Sequence, residues 1–225
     1  MTDALHWRQR VGSQRDWVWR GWQTRYTYLR SQQQETSPPL MLIHGFGASI
    51  GHWRHNLSVL SQHHTVYALD LLGFGASEKA IAPYNVNLWI EQVHEFWQTF
   101  VREPVILIGN SIGSLVCLAA ASAYPEMVRG VVMLNLPDSS VLEVSEWVRS
   151  TMKIMRPVAA VAKGIFTFPL VFNPFFRLLR SSRVIRVWAR QAYASSEGIT
   201  EELLEILSAP AFDRGAGKAL RSMVN

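Results

Sequence analysis

Val105-Ile106-Leu107-Ile108-Gly109-Asn110-Ser111-Ile112-Gly113-Ser114 decides how this chain is read. Its first four residues are apolar with no polar interruption, the pattern of a short strand covered on both faces. From Ile112 to Tyr124 small and apolar residues continue without a charge, up to Pro125, and this predicts a helix. A serine between two glycines therefore sits where a buried strand turns sharply into a helix. A bare Gly-x-Ser-x-Gly match is weak, because small residues are common. In this setting it has two readings. One is a structural glycine-rich turn. The other is a strained elbow that lifts the Ser111 hydroxyl above the sheet edge, at a helix N-terminus where developing negative charge is stabilised. The setting favours the second.

Working outward, Asp16 to Arg30 alternates bulky and polar residues on either side of Gly21 and reads as an antiparallel pair. Ser37-Pro38-Pro39 resets the chain. Leu40 to His44 reads as a strand, His52 to Ser61 as a helix, and Thr65 to Leu69 as a strand ending at Asp70. Asn87 is placed to cap a helix running to about Arg102, with Trp89, Val93, Phe96, Trp97 and Phe100 at helical spacing. Gly130 to Leu134 is the next buried strand. Alternating strands and helices imply the α/β class, with a mixed, mostly parallel sheet wrapped by helices. After Pro137-Asp138 only helical segments follow, from about Val141 to Leu207, as in an insertion lying over a sheet. The expected division is a core over residues 1–140, a helical cap over 141–207, and an incomplete return to the core over 208–225.

Bulk composition narrows the class. The 225 residues are 48% hydrophobic and 17% charged, which excludes a disordered chain. A single cysteine, Cys117, excludes an intrachain disulfide and fits a reducing compartment. The Arg- and Trp-rich start, Met1 to Arg20, lacks the apolar stretch of a secretory signal. Pro104 to Pro125 is uncharged and long enough to span a bilayer, but Gly109 to Ser114 breaks it into strand and helix. The net charge is +5, and it is concentrated in one segment. Between Glu146 and Glu197 lie nine of the 22 basic residues and none of the 17 acidic ones: Arg149, Lys153, Arg156, Lys163, Arg177, Arg180, Arg183, Arg186 and Arg190.

Two further motifs flank the elbow. His44-Gly45-Phe46-Gly47 closes the strand two before it. An acyl-transfer site needs two N–H donors aimed at the oxyanion. Ile112 would give one and Phe46 the other, with His44, Gly45, Asn110 and Gly113 in support. The plainer reading is a glycine-rich turn with a capping histidine. Asp70-Leu71-Leu72-Gly73-Phe74-Gly75-Ala76-Ser77 lacks the Gly-x-Gly-x-x-Gly spacing of a dinucleotide site. It reads as a structural loop in which Asp70 holds backbone.

The order of these three motifs, across Asp16 to Asp138, resembles the α/β-hydrolase superfamily. A closer layer, made of Gly109 to Gly113, Leu134-Asn135, Gln191-Ala192-Tyr193 and Thr200-Glu201-Glu202-Leu203-Leu204-Glu205, looks like plant and cyanobacterial pheophytinases and chlorophyll dephytylases. Those enzymes cleave the phytol ester of chlorophyll pigments. Ser114 departs from the second glycine that many members carry. The resemblance implies a serine esterase acting on an apolar long-chain ester through an acyl-enzyme, with Ser111 as nucleophile. It implies no metal or organic cofactor, and a location in the cytoplasm or on an intracellular membrane such as the thylakoid. Small-ester hydrolysis, carbon–carbon bond hydrolysis, and a non-catalytic relative that binds an apolar ligand or partner stay open.

A triad also needs an acid and then a histidine after the serine. His6, His44, His52, His55, His63, His64 and His94 all precede Ser111. The expectation is a C-terminally incomplete core that is hydrolytically dead or nearly so, with Gly130 to Leu134 left as an uncovered edge. Asp138 reads as a helix cap, or as an alternative acid. From Phe175 to Arg190, read as one helix, Leu178, Val184, Ile185 and Trp188 fall on one side. Arg180, Arg183, Arg186 and Arg190 fall on the other, with Leu179 and Val187 straying toward them. The apolar side either covers a site or, with the uncharged, Phe-rich Gly164 to Phe176 before it, lies on an anionic membrane. No nucleic-acid recognition motif accompanies the charge.

Overall fold

The computed structural model describes residues 6–33, 37–137, 169–193 and 195–224. Asp138, and the part of the expected insertion over residues 141–168, lie outside the described residues. Six strands form one sheet: β1 (Gln14–Trp19), β2 (Trp22–Leu29), β3 (Leu40–Ile43), β4 (Val66–Leu69), β5 (Val105–Asn110) and β6 (Val128–Leu134), in the order β1-β2-β4-β3-β5-β6. β1 and β2 pair antiparallel around a two-residue turn in which Arg20 and Gly21 both take positive φ, the turn that matches strand twist. β2 meets β4 antiparallel, and β4, β3, β5 and β6 are parallel. The expected α/β class and mixed sheet are present.

The central strand shows why the sheet is covered twice. All four residues of β3 are buried. Met41 and Ile43 point into a core shared with α3 (Val86–Phe96) and α4 (Ile112–Ala123), through Trp89, Val93, Phe96, Val116 and Cys117. Leu40 and Leu42 point the other way, against Ile50, Trp53, Leu57, Trp7 and Ile206. Each such apolar side chain taken out of water contributes about 1.5–3 kcal/mol.

Several expectations are corrected in detail. The helix expected over His52 to Ser61 is two short pieces, a 3₁₀ turn at Ile50–Trp53 and α2 (Leu57–Leu60). Asp70 Oδ1 takes the Ile50 N–H at 2.6 Å and Ser49 Oγ takes that of Gly51, so the turn is nucleated two residues early and closes tightly. Asn85, not Asn87, caps α3. Its backbone is extended and its side-chain oxygen accepts from Leu88 N–H at 2.9 Å, which Asn87, already inside the helix, does not do. The last turn of that segment widens to a π-turn over Trp97–Val101 and stops at Arg102, in the left-handed region.

The stretch from Phe175 to Arg190 is not one helix. It runs from the second half of α5 (Pro169–Leu179) into α6 (Ser182–Ala192), the two separated where Ser181 turns extended. A 3₁₀ turn at Ser196–Gly198 leads to α7 (Glu201–Ser208), and α8 (Ala216–Val224) follows. α7 is the motif beginning at Thr200, and its acids face the N-terminal helix α1 (Trp7–Arg10). Glu202 pairs with Arg10 and with Arg54 Nε, the latter at 2.5 Å, and Glu205 accepts from Trp7 Nε1 at 3.3 Å.

β6 pairs with β5 alone among the described residues. Val132, Met133 and Leu134 are 43%, 42% and 40% exposed, so successive residues on both faces of this edge are wet. An open apolar edge is a template for self-association. Val132→Lys combined with Met133→Lys is expected to raise the soluble, monomeric fraction of the 225-residue chain in size-exclusion chromatography. An unchanged aggregated fraction would show that β6 is not the sticky edge.

Candidate active site

The chain runs from β3 outward to β4 in one direction and returns to β5 on the other side of β3. At such a switch point the loops leaving adjacent strands part and open a crevice beyond their C-terminal ends. The residues at that position are His44 to Gly47 after β3 and Ser111 after β5.

Ser111 has φ 53° and ψ −119°, a conformation that costs energy for any side chain. Both flanking glycines are needed for it. A Cβ on Gly109 would stand 2.3 Å from Gly113 O, and a Cβ on Gly113 would stand 2.2 Å from Ile43 O. Strand and helix thus approach to backbone contact. Ser114 fixes the arrangement, its one hydroxyl proton shared between Gly109 O at 2.8 Å and Leu134 O at 2.9 Å, while Ser111 N–H donates to Leu134 O at 2.8 Å. Ser114 is small enough for this packing and adds bonds that a glycine cannot.

The loop after β3 lies against the elbow: a Cβ on Gly45 would reach 3.3 Å from Ser111 Cβ. His44 orients this loop. It is fully buried, its Nε2 accepts Leu71 N–H at 3.1 Å, and its Nδ1 therefore carries the proton, which it donates to Gly45 O at 2.7 Å. Ala48 N–H donates to the same oxygen at 3.1 Å. In a trans peptide C=O and N–H point opposite ways, so pinning Gly45 O turns Phe46 N–H away from His44. Ile112 N–H is one of the orphan donors at the start of α4. Among the described residues neither of these N–H groups has an acceptor. Phe46 itself is 54% exposed and meets Phe74 edge-on, and Phe74 in turn packs on Trp89. Asn110 accepts from Asn135 Nδ2 at 2.8 Å. Asn135, at φ 51°, joins the site rim from β6; Phe74 belongs to it without any sequence signal beyond its loop.

Asp70 braces the loops. Its two oxygens accept Ile50 N–H at 2.6 Å and Ala76 N–H at 2.7 Å, and Gly75 comes so close that a Cβ there would lie 2.2 Å from the carboxylate. Burial pushes this carboxyl up to about 6, against the pull of those N–H groups. His44 Nε2 lies 4.0 Å from Asp70 Oδ1, but burial draws the imidazole down to about 4, so the ring is neutral and the contact is no ion pair. The loop reading of Asp70 fits this geometry.

No histidine with a described partner bonds Ser111 among the described residues. His52 Nε2 meets Tyr193 OH at 2.6 Å, His94 stacks on Tyr124 at 3.6 Å, and His64 Nδ1 bonds Pro38 O at 2.8 Å. Ser111 makes no capping bond to its own helix.

Two outcomes follow from this packing. Gly113→Ala is expected to destabilise the fold by about 3 kcal/mol or more, because its clash is with β3 backbone and not with a movable side chain; an unchanged denaturation midpoint would contradict the contact. The second concerns acid. Burial draws His52 as well as His44 to about 4 from the ordinary 6.5. The folded state then binds fewer protons than the unfolded one, so their contribution is complete above 6.5 and lost as pH falls toward 4. Asp70, raised from 3.8 to about 6, acts oppositely: its contribution is present at low pH and lost as pH rises through 6. Two imidazoles outweigh one carboxyl. Thermal unfolding is expected to move several degrees lower between about pH 7 and about pH 4.5, and less so in His52→Gln. A midpoint indifferent to pH would refute the assignment.

A family model described as alpha/beta hydrolase fold matches residues 38–158. The chain is 30% identical over 176 residues to 1-acylglycerol-3-phosphate O-acyltransferase ABHD5 of Rattus norvegicus, covering 70% of this chain and 50% of that protein. It is 38% identical over 101 residues to 2-hydroxymuconate semialdehyde hydrolase of Pseudomonas sp. (strain CF600), covering 43% and 36%. The crystal structure of Cfl2 from Burkholderia cenocepacia superposes with a TM-score of 0.73 at 16% identity, over 94% of this chain and 69% of that one. The chain spans half or less of the length of the curated relatives named here. With the sheet order, the elbow and this match over more than half of its residues, the chain belongs to the alpha/beta hydrolase fold family.

Proposed function

We propose that this chain carries the nucleophile and the oxyanion hole of a serine ester hydrolase. The observation behind the reading is the juxtaposition at the switch point: a strained serine at a helix N-terminus, with two N–H groups that have no described acceptor beside it. Ser111 Oγ would attack an ester carbonyl, and the oxygen that becomes negative would accept from Phe46 and Ile112 N–H. Such donors matter most in the transition state, where the charge is largest. Helices α5 to α7 are read as a lid over this crevice, and the substrate as an apolar long-chain ester. Two things favour that class: the aromatic wall of Phe46 and Phe74, and an acyl-lipid enzyme among the relatives. A phytol ester is one member of the class, supported only by the short motifs around Ser111, Asn135 and Tyr193.

Two other readings have an observation each. Identity to 2-hydroxymuconate semialdehyde hydrolase favours carbon–carbon bond hydrolysis at the same serine. The exposed ring of Phe46 against Phe74 beside the crevice favours a relative that binds an apolar ligand without turning it over. No histidine bonds Ser111 among the described residues, so the 225-residue chain is expected to be slow.

The test is hydrolysis of p-nitrophenyl decanoate with and without added imidazole. Slow turnover is expected, on the order of a thousandfold over water at most, raised by imidazole and lowered at least tenfold by Ser111→Ala. Turnover unaffected by that substitution would sink the esterase reading. Ordinary enzymatic rates without imidazole would mean that one of the early histidines acts as base. Retention of a fatty-acid probe with no serine-dependent turnover at all would favour the binding relative.

A further inference from the structure

We infer that the outward face of α6 docks on an anionic lipid bilayer. The inference stands apart from the chemistry at Ser111. α6 packs against α7 through Ile185 and Ala189, which meet Ile199, Leu204 and Tyr193. That choice of inner face is unusual. Ala189 is 4% exposed, while the neighbouring Trp188 and Val187 are 64% and 55% exposed. At 3.6 residues per turn Arg183, Val187 and Arg190 share one outward stripe, with Arg186 on one side of it and Trp188 on the other. The helix therefore shows water a row of cations around Val187, with Trp188 at its margin.

One of these cations is spent on an acid and two are not. Arg186 pairs with Glu201 at 2.5 Å, and no described acidic side chain pairs with Arg183 or Arg190. Between Glu146 and Glu197 the sequence holds nine basic residues and no acid. A protein partner with an acidic surface would match the charge and could take up one indole, and it is the occupant left if neither kind of vesicle is bound. Nucleic acid would match the charge and could stack on one ring, but not take up Val187. An anionic bilayer satisfies both at once, with phosphates for the guanidinium groups and the headgroup–acyl boundary for Val187 and Trp188. The helix need not span anything: among the described residues no helix is long and apolar enough to cross a membrane. Position adds a reason. Tyr193, one residue past α6, bonds His52 at 2.6 Å, and His52 lies in the turn that leaves the loop beside Ser111. The basic face is thereby tied to the rim of the crevice.

Co-sedimentation with vesicles tests this on the full 225-residue chain. The probes are phosphatidylcholine vesicles and vesicles in which about a third of the lipid is phosphatidylserine, at about 0.1 M and about 0.5 M salt. Binding is expected to the anionic vesicles and to fall sharply at the higher salt. Arg183→Glu with Arg190→Glu is expected to weaken it by about 25-fold or more, each arginine near such a surface being worth about fivefold. Trp188→Ala should weaken it by roughly fivefold at both salt levels. Ser111→Ala should bind as the parent chain does, which separates docking from any loss of chemistry. All three changed side chains of α6 point to solvent, and circular dichroism checks that their variants fold. Equal binding to neutral vesicles, no binding to either, or anionic binding unchanged by the arginine reversal would each overturn the inference. So would displacement of the chain from vesicles by a stoichiometric duplex oligonucleotide.

Discussion

The contact on which the site depends is backbone against backbone: the first turn of α4 resting on the carbonyls at the end of β3 and, through its own Gly113 carbonyl, on Gly109 of β5. A side chain at Gly109 or Gly113 would overlap main-chain atoms at 2.2–2.3 Å. Because the helix comes this close, the turn linking it to β5 has no room for relaxed geometry, and Ser111 is forced to positive φ. The same closeness puts the start of α4, with its orphan N–H, beside the loop that leaves β3. Strain at the serine and proximity of the two donors are thus one event. Ser114 and β6 make it rigid, since Leu134 O accepts from both Ser111 N–H and Ser114 Oγ. The edge strand is therefore part of the site although it contributes only Asn135 to its rim.

Around this contact the protein uses buried polar groups as splints. His44 joins the loop after β3 to the loop after β4, and Asp70 joins the second of these to the turn at Ile50. Gln92, on α3, reaches the same region by accepting Leu72 N–H at 2.8 Å and donating to Asp70 O at 3.2 Å. Each of these side chains satisfies main-chain groups that strands and helices cannot, because they lie in irregular loops sealed from water. A neutral imidazole suits this work, since it donates at one nitrogen and accepts at the other. Its engagement at both nitrogens also removes it from proton transfer. His44 is close to the serine in sequence logic and in space, and yet belongs to the scaffold.

The strands and the elbow were legible in the sequence because their physics is local. An uninterrupted apolar run says that both faces of a strand are covered, and glycines around a serine say that two backbones meet. Helix starts were less legible. Asn85 and Asn87 are equal as letters, and only the extended backbone at Asn85 gives its side chain the reach to Leu88 N–H. The stretch from His52 to Ser61 has helical composition but is broken by a carboxylate from 20 residues away in sequence, an influence that no window around it contains. The motif beginning at Thr200, which carries part of the closer resemblance, is also a docking helix whose glutamates bind Arg8, Arg10, Arg54 and Trp7. Periodicity gave α6 two faces without saying which one the protein would cover.

That last ambiguity has an energetic side. Removing a tryptophan's 150–250 Å² from water is worth several kcal/mol at about 25 cal/mol per Å², and an alanine offers far less. A helix free to rotate for the sake of folding alone would turn Trp188 and Val187 inward. α6 instead buries Ala189 and Ile185 and keeps the larger surface outside. The constraint comes from its neighbours: Tyr193 is fixed by His52, and Arg186 by Glu201, so the rotation of α6 is set at both the crevice and α7. Turning the tryptophan in would break both contacts. The indole therefore stays outside because α6 is held at Tyr193 and at Arg186, and it stands at the margin of the face that carries Arg183 and Arg190.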